Sequence, residues 1–151
     1  MIFRNWRKFW RTSWRERALL AEAAVALTVA EAAIRWAPLR WVGRDMGAST
    51  VESPVAHAPE QAGRVRQIGW AVRTAARHLP WDCRCLAQAL AGRWMLKRRG
   101  MPSTVYLGVD RGRRDWLDAH AWLRSGEVVL TGGPGRRRFK TIGMFGGDEA
   151  R

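Results

Sequence analysis

The sequence predicts an α+β fold in which helices come first and a small antiparallel sheet follows. Between residues 14 and 99, apolar residues recur every three or four positions, which is the spacing of a helix face. From residue 104 onward they alternate with polar residues, which is the spacing of a half-buried strand. A run of helices followed by a run of strands is typical of α+β domains.

The composition favours a single domain with a basic surface. A chain of 151 residues can bury one proper core. Its 27 Lys and Arg against 13 Asp and Glu give a formal charge of +14, which attracts a membrane surface, a nucleic acid or an acidic peptide. The same charge is also typical of a solvated surface that binds nothing. Both interpretations stay open.

The cysteines and the longest apolar segment indicate a cytoplasmic protein. Cys83 and Cys85 are too close in sequence to link separate parts of the fold, which argues against a disulfide scaffold and fits a reducing compartment. Two glutamates and an arginine interrupt the apolar residues 18–36. Charges are costly at the centre of a bilayer, so we expect a core helix there. No secretory signal is visible.

Residues 1–17 carry six basic residues and one acid. Trp6, Trp10 and Trp14 recur at intervals of four, and an arginine follows each of them. If helical, this stripe fits an anchor on an anionic membrane, peripheral to its inner face. It fits equally a face that packs on the protein's own core, with the arginines extending to solvent.

The first helix is predicted over residues 14–36. Ser13 and Glu16 have the spacing of a capping box, which marks its start. Pro38 ends it, because the residue before a proline avoids the helical region. A short turn or one more helical segment follows over residues 39–46.

The domain organisation follows from a loop in the middle of the chain. Small residues and two prolines between positions 47 and 63 predict a surface linker, and a second helix is expected over 64–79. The predicted parts of one structural domain are an N-terminal helical segment (1–46), the linker (47–63) and a core (64–151).

The third predicted helix, residues 82–99, carries both cysteines. Asp82 is expected to cap its start, and Gly100 to end it in the left-handed conformation. Cys85 is then the third helical residue, near the positive end of the helix dipole, where a thiolate is favoured. Gly92 lies on the same face and lets another layer approach closely.

The last third of the chain predicts an antiparallel sheet, with strands over 104–109, 117–123, 127–131 and 138–144. Ser125 and Gly126 are typical of a two-residue hairpin turn. A turn at that position pairs His120 with Thr131 across the two strands.

Cys85, His120 and Thr131 are therefore candidate catalytic residues. A thiol at a helix N-terminus, an imidazole on an adjoining strand and a group that orients the imidazole are the three parts of a cysteine nucleophile site. The imidazole takes the thiol proton and later protonates the leaving amine. Spacing alone also fits a buried cysteine and a core histidine.

Two segments, 80–108 and 119–123, resemble a known family. The pattern PW-x3-CL-x-QALA-x4-L-x-RRG, followed by YLGV and AHAWL, is similar to the lasso-peptide biosynthesis B2 proteins, a group of transglutaminase-like cysteine peptidases. RERALLAEAAVAL, WAPLRW and HLPW further upstream fit the same family. The resemblance therefore extends over nearly the whole chain.

The resemblance implies a leader peptidase whose cysteine helix packs on the sheet in a transglutaminase- or papain-like core. Such proteins cut the leader from a ribosomally made precursor peptide, which a small leader-recognition B1 protein delivers. A separate ATP-dependent cyclase then closes the lasso. Cys85 matches the family nucleophile and His120 its general base, whereas Cys83 matches no motif position. No cofactor is implied.

The third catalytic member departs from the family pattern. Many relatives place an Asp at the end of the return strand, where this chain has Thr131. A hydroxyl can orient an imidazole but stabilises an imidazolium less than a carboxylate does. Asp118, two residues from His120 on the same strand face, is the alternative. A dyad of Cys85 and His120 alone is the third arrangement.

Two groups are candidates for the oxyanion hole. The backbone N–H of Cys85 is suited to this role by its place at a helix start, and the Trp81 indole is chosen by analogy with transglutaminases. A zinc site made of Cys83, Cys85 and His120 lacks the usual paired ligand spacing, so no metal is predicted.

Two other functions compete with hydrolysis. A basic module that binds nucleic acid or a membrane surface without catalysis would account for the charge, but no nucleic-acid motif is present and we expect no nucleic-acid partner. An acyl transferase would use the same fold, with an amine in place of water.

Overall fold

The computed structural model describes residues 13–45, 48–49, 51–56, 58–111 and 117–146. Most of the predicted tryptophan stripe, residues 1–12, lies outside these ranges. Four α-helices are described, in chain order: α1 (Trp14–Trp36), α2 (Leu39–Asp45), α3 (Pro59–His78) and α4 (Cys85–Lys97). The described strands are β1 (Ala48–Ser49), β2 (Thr104–Arg111), β3 (Leu117–Ser125), β4 (Val128–Thr131) and β5 (Lys140–Gly146). The α+β fold is confirmed. None of the described helices has the length and apolar character needed to cross a membrane.

Helix α1 begins as its sequence predicts. The Ser13 hydroxyl accepts the Glu16 N–H at 3.3 Å, and the Glu16 carboxylate accepts the Ser13 N–H at 2.9 Å, which completes the capping box. Three small or aliphatic side chains fix the buried face of this helix: Ala23, Leu27 and Ala30. At its start, the side chain of Trp14 is 73% exposed.

The segment between α2 and α3 is shorter than the predicted linker (47–63). Helix α3 begins at Pro59 rather than at residue 64, because proline at the first helical position has no N–H to leave unpaired. Strand β1 occupies two further residues of the linker and pairs with β5. Between them, Ser53 is buried, and its N–H donates to the Thr104 hydroxyl at 2.8 Å. This segment therefore docks on the sheet.

Helix α4 begins at Cys85, two residues later than the start predicted with Asp82 as its N-cap. The N-cap is Arg84, which makes no side-chain capping bond, while Asp82 is exposed and pairs with Arg84 at 3.7 Å. The side chain of Cys83 is only 6% exposed and belongs to the core cluster. Burial of Cys83 keeps this stretch non-helical, so tertiary packing overrides the local capping preference.

The other end of α4 is as predicted. Gly100 adopts a φ of 64°, in the left-handed region, and the Met101 N–H donates to the Leu96 carbonyl at 3.1 Å. Gly92 makes the predicted close approach, because a Cβ at this position would lie 2.7 Å from the Leu123 side chain. Helix α4 therefore packs directly on β3.

The described strands form one antiparallel sheet in the order β1-β5-β2-β3-β4. Val105 and Leu123 lie opposite each other and are fully buried on the face that meets the helices. Tyr106 and Trp122, one residue along in each strand, stack on the other face with their ring centroids 5.4 Å apart. Because side chains alternate along a strand, His120 shares the face of Trp122.

The predicted hairpin register is wrong. Ser125 stays in β3, where its buried hydroxyl donates to the Pro102 carbonyl at 2.6 Å, and it pairs with Val128. The two-residue turn is therefore one position later than predicted, at Gly126 and Glu127. A bulge then shifts the pairing again, because Arg124 faces Val129 while Leu123 faces Thr131. Thr131 is consequently not the cross-strand partner of His120.

Candidate functional site

The two cysteines lie in different environments. Burial raises the pKa of the Cys83 thiol above its ordinary value, and the negative charges of Glu31 and Asp82 raise it further. A hydrogen bond from the Trp81 side chain opposes this shift. Cys83 thus stays a protonated thiol. Cys85 is the first residue of α4 and is half-buried against the core.

Cys85 lies at an uncapped helix start. The first intrahelical bond runs from the Gln88 N–H to the Arg84 carbonyl at 3.1 Å. The N–H groups of Cys85, Leu86 and Ala87 therefore have no acceptor inside the helix, and no side chain caps them. The Gln88 side chain donates to the Cys83 carbonyl at 2.8 Å and holds the incoming chain against the first turn. Such a turn offers donors and a positive field to an anion.

Cys85 and His120 lie at the same end of the layer formed by α4 and β3. The Arg93 guanidinium donates to the Ser103 carbonyl at 2.8 Å, which places the start of β2 at the C-terminal half of α4. Strand β3 is antiparallel to β2 and therefore runs in the direction of α4. From the Gly92–Leu123 contact, Cys85 lies about 10 Å back along the helix and His120 about 10 Å back along the strand.

The His120 ring has three neighbours on its sheet face. Its Nε2 lies 2.8 Å from the Gly132 carbonyl oxygen, and its ring centroid lies 4.9 Å from that of Phe139 and 6.1 Å from that of Trp122. Because a carbonyl oxygen can only accept, Nε2 carries the proton. The lone pair of the neutral imidazole is therefore on Nδ1.

The structure does not join the thiol to the imidazole. Within the described residues, no hydrogen bond links the Cys85 sulfur to His120. The two groups share one end of the fold, but His120 leaves β3 on the side opposite Leu123, while α4 packs on the Leu123 side. A direct Cys85–His120 pair remains a prediction from the sequence.

Among the described residues, neither predicted orienting side chain makes a hydrogen bond to His120. Thr131 is 1% exposed, and its hydroxyl has no hydrogen-bond partner among the residues that the structure describes. Asp118 is exposed and accepts from the Arg138 guanidinium at 3.2 Å. The observed acceptor, Gly132, was missed because the sequence argument considered side chains alone. The available signal was the glycine pair directly after the return strand.

The remaining predictions concern the oxyanion hole and metals. Trp81 is 41% exposed, and its side chain interacts with the Cys83 thiol. Its role as an oxyanion donor stays a prediction. Across the part of the chain that is described, no three His, Cys, Asp or Glu side chains lie close enough to hold a metal ion.

Comparison with known families matches residues 25–144 to a family described as the transglutaminase-like superfamily. The chain belongs to this superfamily. Members are typically cysteine-based enzymes, with a fold of the cysteine-peptidase and acyltransferase type. The matched region of this transglutaminase-like chain starts within α1 and ends within β5, so it includes both Cys85 and His120. Comparisons with curated proteins and with solved structures gave no significant match.

Proposed function

We propose that this transglutaminase-like protein is a cysteine peptidase that removes the leader from a lasso-peptide precursor. One observation carries the catalytic part: Cys85 presents a half-buried thiol at a helix start whose N–H groups are not capped. The other cysteine is buried and held protonated, which leaves Cys85 as the nucleophile. The precursor substrate rests on the sequence resemblance to B2 proteins.

The reaction begins with proton transfer from the Cys85 thiol to Nδ1 of His120. The thiolate attacks the carbonyl carbon of the scissile peptide bond, and the C–N bond breaks as the imidazolium protonates the leaving amine. The leader remains on sulfur as a thioester, and the core peptide leaves with a free N-terminus. Water then attacks the thioester carbonyl and gives one proton to His120, and the C–S bond breaks to release the leader acid, which ionises to a carboxylate. The imidazolium returns its proton to the Cys85 thiolate.

Two features of the site support this chemistry. The backbone N–H of Cys85 lacks an acceptor inside α4 and can donate to the developing oxyanion. The Trp81 indole is the proposed second donor, and its single N–H would leave the Cys83 thiol to take this role. Catalytic hydrogen bonds are often long or poorly aligned before substrate binds and tighten in the complex. We therefore propose that the thiol and the His120 imidazole meet when the precursor occupies the site.

The partners in this proposal are separate chains. A B1 protein presents the leader, and an ATP-dependent cyclase uses the freed core N-terminus. The peptidase itself takes no cofactor and works in the cytoplasm. Peripheral contact of residues 1–17 with an anionic membrane remains part of the proposal, supported by the exposed Trp14 with the Arg15 guanidinium 5.5 Å from its ring centroid.

Cleavage of a precursor with its B1 protein tests the proposal. We expect Cys85→Ala and His120→Ala to lower the cleavage rate by at least about a thousandfold. Cys83→Ala, the matched control, should retain most of the activity, because the Cys83 thiol is buried away from the chemistry. Full cleavage by Cys85→Ala would refute the proposal. Loss of cleavage in Cys83→Ala alone would show that Cys83, and not Cys85, is the nucleophile.

The superfamily fold is compatible with both hydrolysis and acyl transfer. The masses of the products distinguish the two reactions. Hydrolysis releases a leader with a free carboxylate, whereas transfer to an amine gives a leader heavier by the added amine. A binding module without catalysis would instead give no cleavage, and would show salt-dependent nucleic-acid or vesicle binding unaffected by Cys85→Ala.

A further inference from the structure

We infer that the group which orients His120 for catalysis is the main-chain carbonyl of Gly132, in place of a side-chain carboxylate. This inference rests on the proposed function. It makes Gly132 a positioning residue, because it acts on the substrate only through the imidazole. The observation that carries it is the 2.8 Å contact between His120 Nε2 and the Gly132 oxygen.

A bulge in β4 brings this carbonyl into place. Without the bulge, the pairing that starts at Ser125 and Val128 would set Gly132 opposite Ala121. Because Leu130 is an extra residue, Thr131 faces Leu123, and Gly132 continues opposite Trp122. Trp122 and His120 lie on the same face of β3. Gly132, opposite Trp122, is therefore close enough for its carbonyl to reach the His120 imidazole.

The bulged residue is itself supported by α3. The Arg73 guanidinium donates to the Leu130 carbonyl. Gly69 lets α3 approach this point, since a Cβ there would lie 3.2 Å from the Leu130 Cα. The shift in register is therefore held by the packing of a neighbouring helix.

Only glycine fits position 132. Its φ of 68° lies in the left-handed region, which residues with a Cβ rarely adopt. A Cβ there would press on the Ala121 carbonyl oxygen and lie 2.8 Å from the Trp122 Cβ. An added methyl group would force the strand away from β3. The left-handed turn and the close approach together aim the carbonyl at His120.

The chemistry of a carbonyl acceptor suits the proposed reaction. It holds the proton on Nε2 and leaves the Nδ1 lone pair to take the thiol proton. The stacked Phe139 and Trp122 rings limit the rotation of the imidazole. A neutral acceptor makes a weaker bond to an imidazolium than a carboxylate does, so orientation is its main contribution.

A pair of glycine variants tests the inference. Gly132→Ala should lower kcat by about a hundredfold through displacement of the imidazole, with little change in KM. Gly135→Ala is the matched control, because Gly135 also has a positive φ, 76°, but no atom within 4 Å of an added Cβ. It should share the backbone strain and keep its activity. Equal losses of kcat in both variants would overturn the inference.

Nitrogen NMR of His120 in the wild-type chain gives a test independent of catalysis and of any variant's folding. We expect a pyrrole-type Nε2 whose proton exchanges slowly, and a pyridine-type Nδ1. Gly132→Ala should lose the slow exchange, and Gly135→Ala should keep it. A proton on Nδ1, or fast exchange at Nε2 in the wild type, would overturn the inference. Failure of the proposed function alone would abolish the cleavage result but leave this signature intact.

Thr131→Val separates the carbonyl from the hydroxyl next to it. Valine has nearly the shape of threonine and removes only the hydroxyl, so the slow Nε2 exchange should persist. Loss of that signal in Thr131→Val would assign the orienting role to the hydroxyl and contradict the inference.

Discussion

The N-cap residues of helices α1 and α4 have nearly the same backbone conformation, but only the one at α1 caps its helix with a side chain. The N-cap Ser13 has φ −60° and ψ 153°, and the N-cap Arg84 has φ −67° and ψ 168°. At α1 the Ser13 hydroxyl accepts the Glu16 N–H, and the Glu16 carboxylate accepts the Ser13 N–H. At α4 no side chain does so. The conformation needed for a cap is therefore present at both helices, and residue type alone decides whether it is used.

This difference separates a structural helix start from one that is available to a ligand. A capped start is stabilised and has fewer donors left to offer. The start of α4 forgoes that stabilisation and keeps its N–H groups beside the Cys85 thiol. Its other end is well satisfied, because Gly100 closes the helix and the Arg99 guanidinium binds Glu22 at 2.6 Å. Functional sites commonly give up local stability in this way.

Removal of the cap at α1 is the largest effect that we expect from this comparison. Ser13→Ala should lower the free energy of unfolding by about 1 kcal/mol, measured by urea denaturation. The alkylation rate of Cys85 should not change, since the two helix starts are separate. Ser13→Gly, with a smaller loss of a few tenths, serves as the control. A change in Cys85 alkylation would show that the two starts are coupled.

Transfer of the cap to α4 should have the opposite sign. Arg84→Ser places a hydroxyl where the Leu86 or Ala87 N–H can use it, and should raise the free energy of unfolding by somewhat under 1 kcal/mol. The cap and the lost cation both disfavour a thiolate at Cys85, so iodoacetamide should alkylate it more slowly. Arg84→Gln removes the cation without adding a cap. A Ser variant that is neither stabilised nor slower than Gln would contradict the comparison.

The pH dependence of stability tests the satisfied end of α4 and is the smallest effect. The hydrogen bond from Arg99, with its charge and that of Arg98, holds the pKa of Glu22 below its ordinary 4.5, although partial burial opposes this. A lowered carboxyl pKa gives stability that is present above the unfolded value and is lost as the pH falls through the folded value. Arg99→Ala should cost below about 1 kcal/mol at neutral pH. The gap between the unfolding free energies of wild type and variant should close in acid, and a constant gap would contradict this.

The local elements were predictable where a signal lies within a few residues. The capping box of Ser13 and Glu16 and the left-handed Gly100 are both decided by neighbours in sequence. The start of α4 was not, because burial of Cys83, a tertiary event, outweighs the capping tendency of Asp82. Cys85 could still be distinguished from Cys83 through the motif resemblance.

The sheet register was the least predictable part of the candidate site. A hairpin count assumes that the turn sets every later pair, but the buried Ser125 hydroxyl keeps that residue in β3, and Leu130 then adds a residue to β4. Neither feature can be predicted from the local sequence, because Ser125 bonds to Pro102 and Leu130 to Arg73, which are both distant along the chain. Strands β3 and β4 do pair as an antiparallel hairpin, as predicted, but the predicted register placed Thr131 opposite His120, whereas it lies opposite Leu123.

The bulge at Leu130 has a consequence for transplanting or redesigning this site. Every amino acid carries a main-chain carbonyl, so the acceptor of the His120 proton is specified by the backbone conformation at Gly132 and not by a side chain. A design that copied only the side chains of Cys85 and His120 onto another scaffold would leave this acceptor behind. Reproducing it requires the backbone itself: one residue too many in the edge strand, followed by a glycine.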